Sequence, residues 1–285
     1  MNQPKRILAV HDLCSFGRCS LTAAVPVLSA MGHQACPFPT AVFSNNFTFG
    51  SFVSTNLTEH MPGILDQWVR LGFRYDAVYS GFLADVEQMD IVEDSINRLL
   101  RERDGGLAVV DPAMGDDGKL YPIYTDAMVE RMRRLASKAD IITPNYTEAC
   151  FLLYKPYDPS LPAADAVEAM SRELAALGSP NVVITSIPAE GNRIKVSSYE
   201  AATNRFMEFE TPRLPFATCG TGDIFTSVVT GSVLCGRSLE TAVSDAMRFL
   251  SHIIQYTIDA GTDPREGVLV EPCLDELVRL RAVAN

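Results

Sequence analysis

Short apolar segments typical of buried strands alternate with helical segments along most of this chain. The predicted strands are residues 6–10, 77–80, 107–110, 140–143 and 182–185. The predicted helices are residues 20–31, 63–71, 88–103, 125–137, 146–154, 163–177, 221–234, 239–259 and 273–282. Helices that connect parallel strands cover both faces of a sheet. The alternation therefore predicts an α/β fold with three α/β/α layers and a central, mainly parallel sheet.

One segment departs from this alternation. Residues 194–199 and 205–209 are both rich in strand-forming side chains and flank the short polar stretch 201–204, so they predict a small antiparallel β-hairpin. The proline-rich stretch 155–162 is short enough to be a surface connection. Since no repeat, low-complexity tract or long linker interrupts the pattern, residues 1–285 are predicted to form a single domain.

Composition narrows the class of protein. The seven cysteines are scattered and contain no C-x-x-C pair, which argues against a disulfide framework or a zinc cluster and favours a reducing compartment. The apolar stretch after the basic N-terminus stops at His11-Asp12, too early for a signal peptide or a membrane helix. The formal charge of −11 argues against nucleic acid as a partner. We therefore expect a cytoplasmic protein with no nucleic-acid or membrane partner.

A glycine-rich turn opens the predicted helix 221–234. In Gly220-Thr221-Gly222-Asp223, two glycines let a ligand approach the backbone, and the helix start offers unpaired N–H groups and a positive dipole end. Such a turn suits an anion such as phosphate. Asp223 at this position indicates chemistry, although helix capping would also explain it.

Polar residues follow the other predicted strands as well. In open α/β sheets ligands lie at the carboxyl ends of the strands, so these residues form a candidate site. They are His11-Asp12, Ser80-Gly81, Asp111 with Asp116, Asn145 with Glu148, and Thr185-Ser186. Carboxylate and amide oxygens suit magnesium and its waters. A capping box would equally explain the spacing of Asn145 and Glu148, and Asp111-Pro112 would also fit a simple turn.

A second polar cluster combines amide and hydroxyl groups with aromatic rings. Thr40, Phe43, Ser44, Asn45 and Asn46 precede Phe47-Thr48-Phe49-Gly50. This mixture suits a small, flat, polar ring, and an ordinary loop packed by its own phenylalanines explains it equally well. The four histidines show no metal-ligand spacing, and most are interpreted as surface residues or hydrogen-bonded core residues. Cys219 is interpreted as a small buried residue beside the glycine turn.

Three of these motifs, taken in order, resemble the ribokinase-like superfamily and more narrowly its pyridoxal, pyridoxine and pyridoxamine kinases. They are Asp111-Pro112-Ala113-Met114-Gly115-Asp116, Ile142-Thr143-Pro144-Asn145-Tyr146-Thr147-Glu148-Ala149 and Gly220-Thr221-Gly222-Asp223. Thr40-Ala41-Val42-Phe43-Ser44-Asn45 and Tyr79-Ser80-Gly81-Phe82-Leu83 resemble the vitamin-side segments of the same family. The resemblance extends over most of the chain.

The resemblance implies transfer of the ATP γ-phosphoryl group to the 5′-hydroxymethyl group of a B6 vitamer. The resemblance implies that Asp223 is the general base of this transfer. It also implies that the amides of Gly220, Thr221 and Gly222 stabilise the negative charge of the phosphoryl group. Asp111, Asn145 and Glu148 organise Mg²⁺ and its waters, with Asp111 and Glu148 as the metal residues and Asp116, Thr185 and Ser186 near the nucleotide phosphates. The ring contacts are assigned to Asp12, Thr40, Val42, Ser44, Asn45 and Phe82. The resemblance also implies a homodimer and leaves room for a monovalent cation such as K⁺.

Two positions depart from the family pattern. Asp12 stands where these kinases usually have a serine, and its carboxylate would pair with a protonated ring nitrogen or amine, or cap the following turn. Phe82 replaces a ring-contacting tyrosine. Hydroxymethylpyrimidine kinase and a noncatalytic protein that binds a B6 vitamer or nucleotide are therefore the alternatives, and a sugar kinase fits the vitamin-side segment less well.

Overall fold

The computed structural model describes residues 3–101, 106–163 and 165–281, and within these ranges a nine-stranded sheet forms the centre of the fold. The strands are β1 (Arg6–Cys14), β2 (Gln34–Phe43), β3 (Ser54–Asn56), β4 (Ala77–Ser80), β5 (Leu107–Val110), β6 (Gly115–Asp116), β7 (Lys119–Leu120), β8 (Ile141–Ile142), β9 (Asn181–Pro188), β10 (Arg193–Glu200) and β11 (Arg205–Pro212). The order in the large sheet is β11-β10-β9-β8-β5-β4-β1-β2-β3, and β6 and β7 form a separate small hairpin.

The helices are α1 (Leu21–Ala30), α2 (Met61–Arg70), α3 (Val86–Ser95), α4 (Asp126–Ala136), α5 (Tyr146–Leu152), α6 (Ala166–Ala176), α7 (Thr221–Leu234), α8 (Leu239–Ala260) and α9 (Leu274–Arg281). A π-helical turn, Ile96–Leu100, extends α3. Helix α1 ends where Gly32 adopts φ of 89°, with the amides of Gly32 and His33 donating to the carbonyls of Ser29 and Leu28. This pairing satisfies carbonyl groups that a helix end otherwise leaves open.

The six central strands are parallel, and the strands at both edges are antiparallel. The parallel strands β2, β1, β4, β5, β8 and β9 are adjacent to one another in that order. Strand β3 pairs antiparallel with β2, and β10 and β11 continue the sheet antiparallel beyond β9. The carboxyl ends of the six parallel strands therefore meet along one edge of the sheet.

Both faces of the sheet are buried, because successive side chains of a strand point to opposite faces. On β1, Leu8 and Val10 belong to the apolar core beneath α2 to α6, whereas Ile7 belongs to the core beneath α1, α7, α8 and α9. On β4, Val78 belongs to the first of these cores and Tyr79 to the second. The predicted three-layer fold with its mainly parallel sheet is confirmed.

The predicted elements agree with the structure in most places. The hairpin predicted at residues 195–210 is confirmed as β10 and β11, although it extends the main sheet and is not a separate unit. Strands β2, β3, β6 and β7 were absent from the pattern-based prediction, and the strand predicted at 140–143 is reduced to Ile141–Ile142. The predicted ends of the helices at residues 103 and 282, and position 164 near the start of the predicted helix 163–177, lie outside the described residues.

Candidate functional site

A cleft of about 920 Å³ runs along the carboxyl edge of the parallel strands. Its lining includes twelve of the predicted site residues: Asp12, Phe82, Asp111, Asp116, Asn145, Glu148, Thr185, Ser186, Gly220, Thr221, Gly222 and Asp223. Four predicted vitamin-side residues, Thr40, Val42, Ser44 and Asn45, are not in the lining. The fold therefore brings residues from the ends of β1, β4, β5, β8 and β9 to the start of α7.

The start of α7 packs tightly against the loop that follows β1. Gly220 precedes the helix with φ of 83°, and a Cβ atom there would lie 2.0 Å from the Arg18 carbonyl oxygen. No side chain larger than hydrogen fits in this position, and the positive φ favours glycine independently. The amides of the first helical turn have no carbonyl partner within the helix. The turn thus leaves several N–H groups available to an anion.

Asp223 is the third residue of α7, and its side chain is held from outside the helix. Its Oδ2 accepts a hydrogen bond of 2.7 Å from the backbone amide of Ser20. Its Oδ1 lies 3.5 Å from Nδ1 of His11. The residue before the helix is Gly220, and in the part of the chain that the structure describes no side chain caps α7. The capping explanation for Asp223 therefore does not describe its contacts.

Asp12 is buried beside the same loop. Its Oδ1 accepts a hydrogen bond of 2.6 Å from the Ser20 hydroxyl, while burial and, to a lesser degree, the nearby charge of Asp223 raise the pKa of Asp12 to about 6. Ser20 itself has φ of 52° and ψ of −132°, a conformation that is strained for a residue with a side chain. The two acids therefore hold Ser20 through its backbone amide and its hydroxyl.

Asn145 and Glu148 form the capping box that their spacing allowed. The Asn145 side chain accepts from the Glu148 amide, and Glu148 Oε2 accepts from the Asn145 amide at 2.8 Å. Each side chain also contacts the segment after β5. Asn145 Nδ2 donates to the Gly115 carbonyl and to Asp116 Oδ1, and Glu148 Oε1 accepts from the Met114 amide. The box thus fixes the position of the β6–β7 hairpin at the cleft.

The carboxylates of this region raise one another's pKa. Burial raises the pKa of Glu148 to about 7. Burial and then the charges of Glu148 and Asp223 raise the pKa of Asp111 well above its usual range, and Asp111 Oδ2 accepts from the Thr226 hydroxyl at 3.3 Å. Among residues 3–101, 106–163 and 165–281, no three His, Cys, Asp or Glu side chains converge closely enough to hold a metal by themselves.

The cleft has an aromatic end near β1 and β2. Phe43, Phe47 and Phe82 are in edge contact there, with Phe47 centred 5.3 Å from Phe43 and 6.1 Å from Phe82. Asn46 and Thr48 are part of the lining. Ser44 and Asn45 instead hydrogen-bond to each other and to the backbone of Val53 and Ser51, which fixes their own loop.

Two other predicted ring contacts lie behind the aromatic end. Thr40 is fully buried, and its carbonyl accepts from Gln88 Nε2. Val42 is half-buried and pairs with Thr55 of β3. Asn46 and Thr48 lie in the same loop as the predicted residues Ser44 and Asn45. Only the conformation of this loop shows that Asn46 and Thr48 face the cleft.

The opposite end of the cleft is apolar. Ile194 and Val196 of β10 lie on one side, and Met247, Leu250 and Ile254 of α8 line the cleft as well. The sequence predicted the hairpin as an element, whereas the contribution of α8 to the cleft was not predicted. The sequence does contain a signal for this contribution: Met247, Leu250 and Ile254 are spaced by three and four residues, which places them on one face of the helix. Thr185 and Ser186, in the second half of β9, also line the cleft.

Comparison with known proteins agrees with this geometry. A family model described as phosphomethylpyrimidine kinase matches residues 17–267. A protein from Bacteroides thetaiotaomicron, assigned as a phosphomethylpyrimidine kinase and crystallised with pyridoxal, is 41% identical with a TM-score of 0.92, and the match covers 96% of each chain. Pyridoxal kinase from Lactobacillus plantarum is 28% identical with a TM-score of 0.89, over 98% of each chain. In sequence, pyridoxal kinase PdxY from Corynebacterium diphtheriae is 25% identical over 274 residues, 93% of each chain.

The family match covers most of the chain, and the solved structures share its fold from end to end. The resemblance to pyridoxal kinases that the three motifs indicated is thereby confirmed. This chain belongs to the phosphomethylpyrimidine kinase family of the ribokinase-like superfamily, the group that includes the pyridoxal kinases.

Proposed function

We propose that this protein transfers the γ-phosphoryl group of ATP to the 5′-hydroxymethyl group of a B6 vitamer, namely pyridoxal, pyridoxine or pyridoxamine. Pyridoxal kinases are among its relatives in both sequence and structure, and the Bacteroides relative was crystallised with pyridoxal. The observation that carries the proposal is the placement of Asp223. Its carboxylate lines the cleft beside the open amides of α7 and is held from outside its own helix.

Asp223 is the general base of the proposed reaction. It removes the proton of the acceptor hydroxyl as that oxygen attacks the γ-phosphorus. The amides of Gly220, Thr221 and Gly222, at the positive end of α7, stabilise the negative charge on the transferred group. The acid and the amides lie in one turn, so the acceptor oxygen and the phosphoryl group meet at the same place.

Magnesium fits the acidic centre of the cleft. Mg²⁺ keeps several waters and uses only one or two protein carboxylates together with substrate phosphates, so a three-residue protein cage is not needed. Burial and then the charges of Glu148 and Asp223 raise the pKa of Asp111, and a divalent cation would relieve the repulsion among these carboxylates. Asp111, Glu148 and Asn145 would hold the ion and its waters, and the ion would neutralise phosphate charge.

The nucleotide is proposed to occupy the opposite half of the cleft. Thr185 and Ser186 would contact the phosphates, with Asp116 near them, and the apolar end formed by β10 and α8 would accept the adenine. The cleft is lined there by Ile194, Val196, Leu250 and Ile254, a surface that suits a flat purine. A requirement for K⁺ stays a prediction from the resemblance.

The acceptor ring is proposed to lie at the aromatic end. Phe43, Phe47 and Phe82 supply apolar surface, and the buried carboxyl of Asp12 faces the same part of the cleft. Because the pKa of Asp12 is about 6, this group is mostly ionised at neutral pH and able to pair with a cationic ring or amine. This pairing favours pyridoxamine among the vitamers. Ser44 and Asn45 were predicted to contact the ring but do not line the cleft. The proposal assigns their place to Asn46 and Thr48, which do line it.

We further propose that residues 1–285 act as one kinase domain that forms a homodimer in the cytoplasm. Near the aromatic end, Phe52 and Val53 are exposed beside the edge strand β3, with 45% and 75% of their surfaces accessible. Exposed apolar groups beside an open strand edge are suited to a second copy of the chain. None of the helices in the described ranges has the length and apolar character needed to cross a membrane.

A turnover assay with Mg²⁺ and ATP tests the proposed reaction. Pyridoxal, pyridoxine, pyridoxamine and hydroxymethylpyrimidine are supplied separately, and ADP release is measured together with the phosphorylated product. We expect turnover of at least one B6 vitamer. Hydroxymethylpyrimidine is the second candidate acceptor because the family model carries that name. Faster turnover of hydroxymethylpyrimidine than of every vitamer would reassign the substrate, and binding without turnover would support the noncatalytic alternative.

A further inference from the structure

His11 is a buried side chain whose hydrogen-bonding groups are unused. It lies in β1 with no accessible surface, and within the described residues neither ring nitrogen makes a hydrogen bond. Buried polar groups nearly always have a partner, because an unpaired one costs free energy. His11 is therefore an exception to the interpretation of most histidines as surface or hydrogen-bonded residues. Its burial without partners calls for a functional explanation.

The imidazole is fixed in place by its neighbours. The ring meets Tyr79 edge to face, with centroids 4.4 Å apart and an interplanar angle of 79°. On another side is Gly81, where a Cβ atom would lie 2.2 Å from Nδ1 of His11. Any residue other than glycine would therefore displace the imidazole. Packing on these sides leaves Nδ1 close to the carboxylate of Asp223, at 3.5 Å from Oδ1.

Among the described residues, Asp223 is hydrogen-bonded at only one of its two oxygens. The Ser20 amide donates to Oδ2 at 2.7 Å, whereas Oδ1 faces His11 at a distance slightly too long for a hydrogen bond. Hydrogen bonds of catalytic groups are often long without substrate and shorten when the substrate is bound. A small rotation of the carboxylate would close the contact to His11.

The titratable groups near His11 come from three elements. Asp12 neighbours it on β1, Tyr79 lies on β4, and Asp223 lies on α7. Because His11 is fully buried, its ring nitrogens do not reach a substrate in the cleft. His11 therefore acts through Asp223 and does not accept the substrate proton itself.

We propose that His11 is a positioning residue for Asp223: Nδ1–H donates to Oδ1 and fixes the carboxylate with a lone pair directed toward the acceptor hydroxyl. The inference rests on the proposed kinase function. In the step, the acceptor O–H bond breaks, its proton passes to Asp223, and the oxygen forms a bond to the γ-phosphorus as the bond from phosphorus to the ADP oxygen breaks. His11 keeps its own proton throughout, and Asp223 releases the transferred proton to solvent with the products.

Two variants of nearly equal shape separate hydrogen bonding from packing. His11→Asn retains a side-chain N–H close to the position of Nδ1, and His11→Leu has almost the same shape without a donor. For His11→Leu we expect kcat to fall by about 10- to 100-fold, the range typical of a lost hydrogen bond to a charged group. The KM values for ATP and vitamer should change by less than about threefold, since the interaction matters in the transition state.

The same variants give two further readouts that distinguish a positioning role from a packing role. In His11→Leu the acidic limb of the kcat–pH profile should shift to higher pH, because a donor to the ionised carboxylate is lost. Its Tm should equal or exceed that of the wild type, since an unpaired buried polar group is replaced by an apolar one. His11→Asn should recover most of kcat and return the acidic limb toward the wild-type position.

His33 supplies a matched control. It is also buried, yet its Nε2 contacts the Gly231 carbonyl at 3.0 Å and it does not line the cleft. His33→Asn should lower Tm and leave kcat unchanged. Equal kcat loss in His11→Asn and His11→Leu, or no loss in His11→Leu while the wild type is active, would refute the positioning role alone. A wild type that turns over none of the acceptors would refute the proposed function and the role of His11 with it.

Discussion

Helices α5 and α7 both start at the carboxyl edge of the sheet and both have an acid as their third residue, but the two acids are held in opposite ways. Glu148 of α5 accepts hydrogen bonds from the amides of Asn145 and Met114, and Asn145 caps the helix in return. Asp223 of α7 contacts no capping partner in its own turn and is held by the Ser20 amide.

The difference separates a structural use of this sequence feature from the chemical use proposed for Asp223. In α5 the acid satisfies backbone N–H groups, and removing it would leave those groups unpaired. In α7 the N–H groups stay open: glycine at position 220 lets the turn pack against the Arg18 carbonyl, and glycine at position 222 keeps the backbone of the first turn accessible to a ligand. An acid near the start of a helix is thus a catalytic candidate when its contacts come from a different element and its own helix start remains uncapped.

The largest expected effect is that of Asp223→Asn. Loss of the general base should lower kcat by about 10²- to 10⁴-fold, while nucleotide affinity and Tm change little, because α7 does not depend on Asp223 for its cap. Steady-state kinetics, calorimetric titration with ADP and thermal unfolding measure the three quantities. A variant that keeps wild-type kcat would remove Asp223 from the role of base and end the distinction between the two helices.

Glu148→Gln should lower stability more, and kcat less, than Asp223→Asn does. Glutamine keeps one acceptor oxygen but turns an NH₂ group toward one of the two donor amides, which should lower the free energy of unfolding by about 1–3 kcal/mol. The loss in kcat should be smaller than in Asp223→Asn. Chemical denaturation and kinetics test both. If the stability of Glu148→Gln matches the wild type, the capping box is not what holds α5.

The pH dependence of stability tests the structural role of Glu148 in α5. Burial raises the pKa of Glu148 from 4.5 to about 7, so the folded state binds a proton more tightly than the unfolded state. That contribution to stability is complete below about pH 4.5 and is lost as the pH rises through about 7. The stability gap between the nucleotide-free wild type and Glu148→Gln should therefore be widest near pH 4.5 and narrow toward pH 7. Urea unfolding across this range measures it, and a gap that widens with pH would contradict the assignment.

The smallest effect is expected from the caps alone. Asn145→Ala and Ser238→Ala each remove a helix cap, at α5 and at α8, and each should lower the free energy of unfolding by about 1 kcal/mol. Only Asn145 also holds Gly115 and Asp116 at the cleft, so only Asn145→Ala should raise the KM for ATP, by a few-fold. Equal KM values in the two variants would show that α5 does not shape the nucleotide site.

The sequence predicts the fold wherever apolar segments are regular, and it misses elements that depend on neighbours. Strand β2 contains Pro37 and Pro39, which weaken a strand pattern. In the structure β3 covers only Ala41, Val42 and Phe43, so the proline-containing part of β2 lies at an open edge where a missing N–H is tolerated. Strands β6 and β7 have two residues each, too few for a periodic signal.

The candidate site is predictable in its motifs and less so in its surroundings. The strand ends identify Asp111, Asn145 and Glu148, because topology alone brings strand ends together, and the glycine turn at the start of α7 identifies Asp223. Which residues of the 44–48 loop face the cleft depends on the hydrogen bonds of that loop. The role proposed for His11 depends on its approach to α7, which no local pattern encodes.

The hydrogen bond between Ser20 and Asp223 joins residues 203 positions apart. Contacts of such long range form late, because a large loop must close before they contribute. During synthesis β1 leaves the ribosome before α7, so the Ser20 amide lacks its Asp223 partner until α7 has emerged and docked. A nascent chain that ends before α7 would therefore contain the proposed acceptor end of the cleft without its proposed base, and we expect catalytic competence only once α7 has docked.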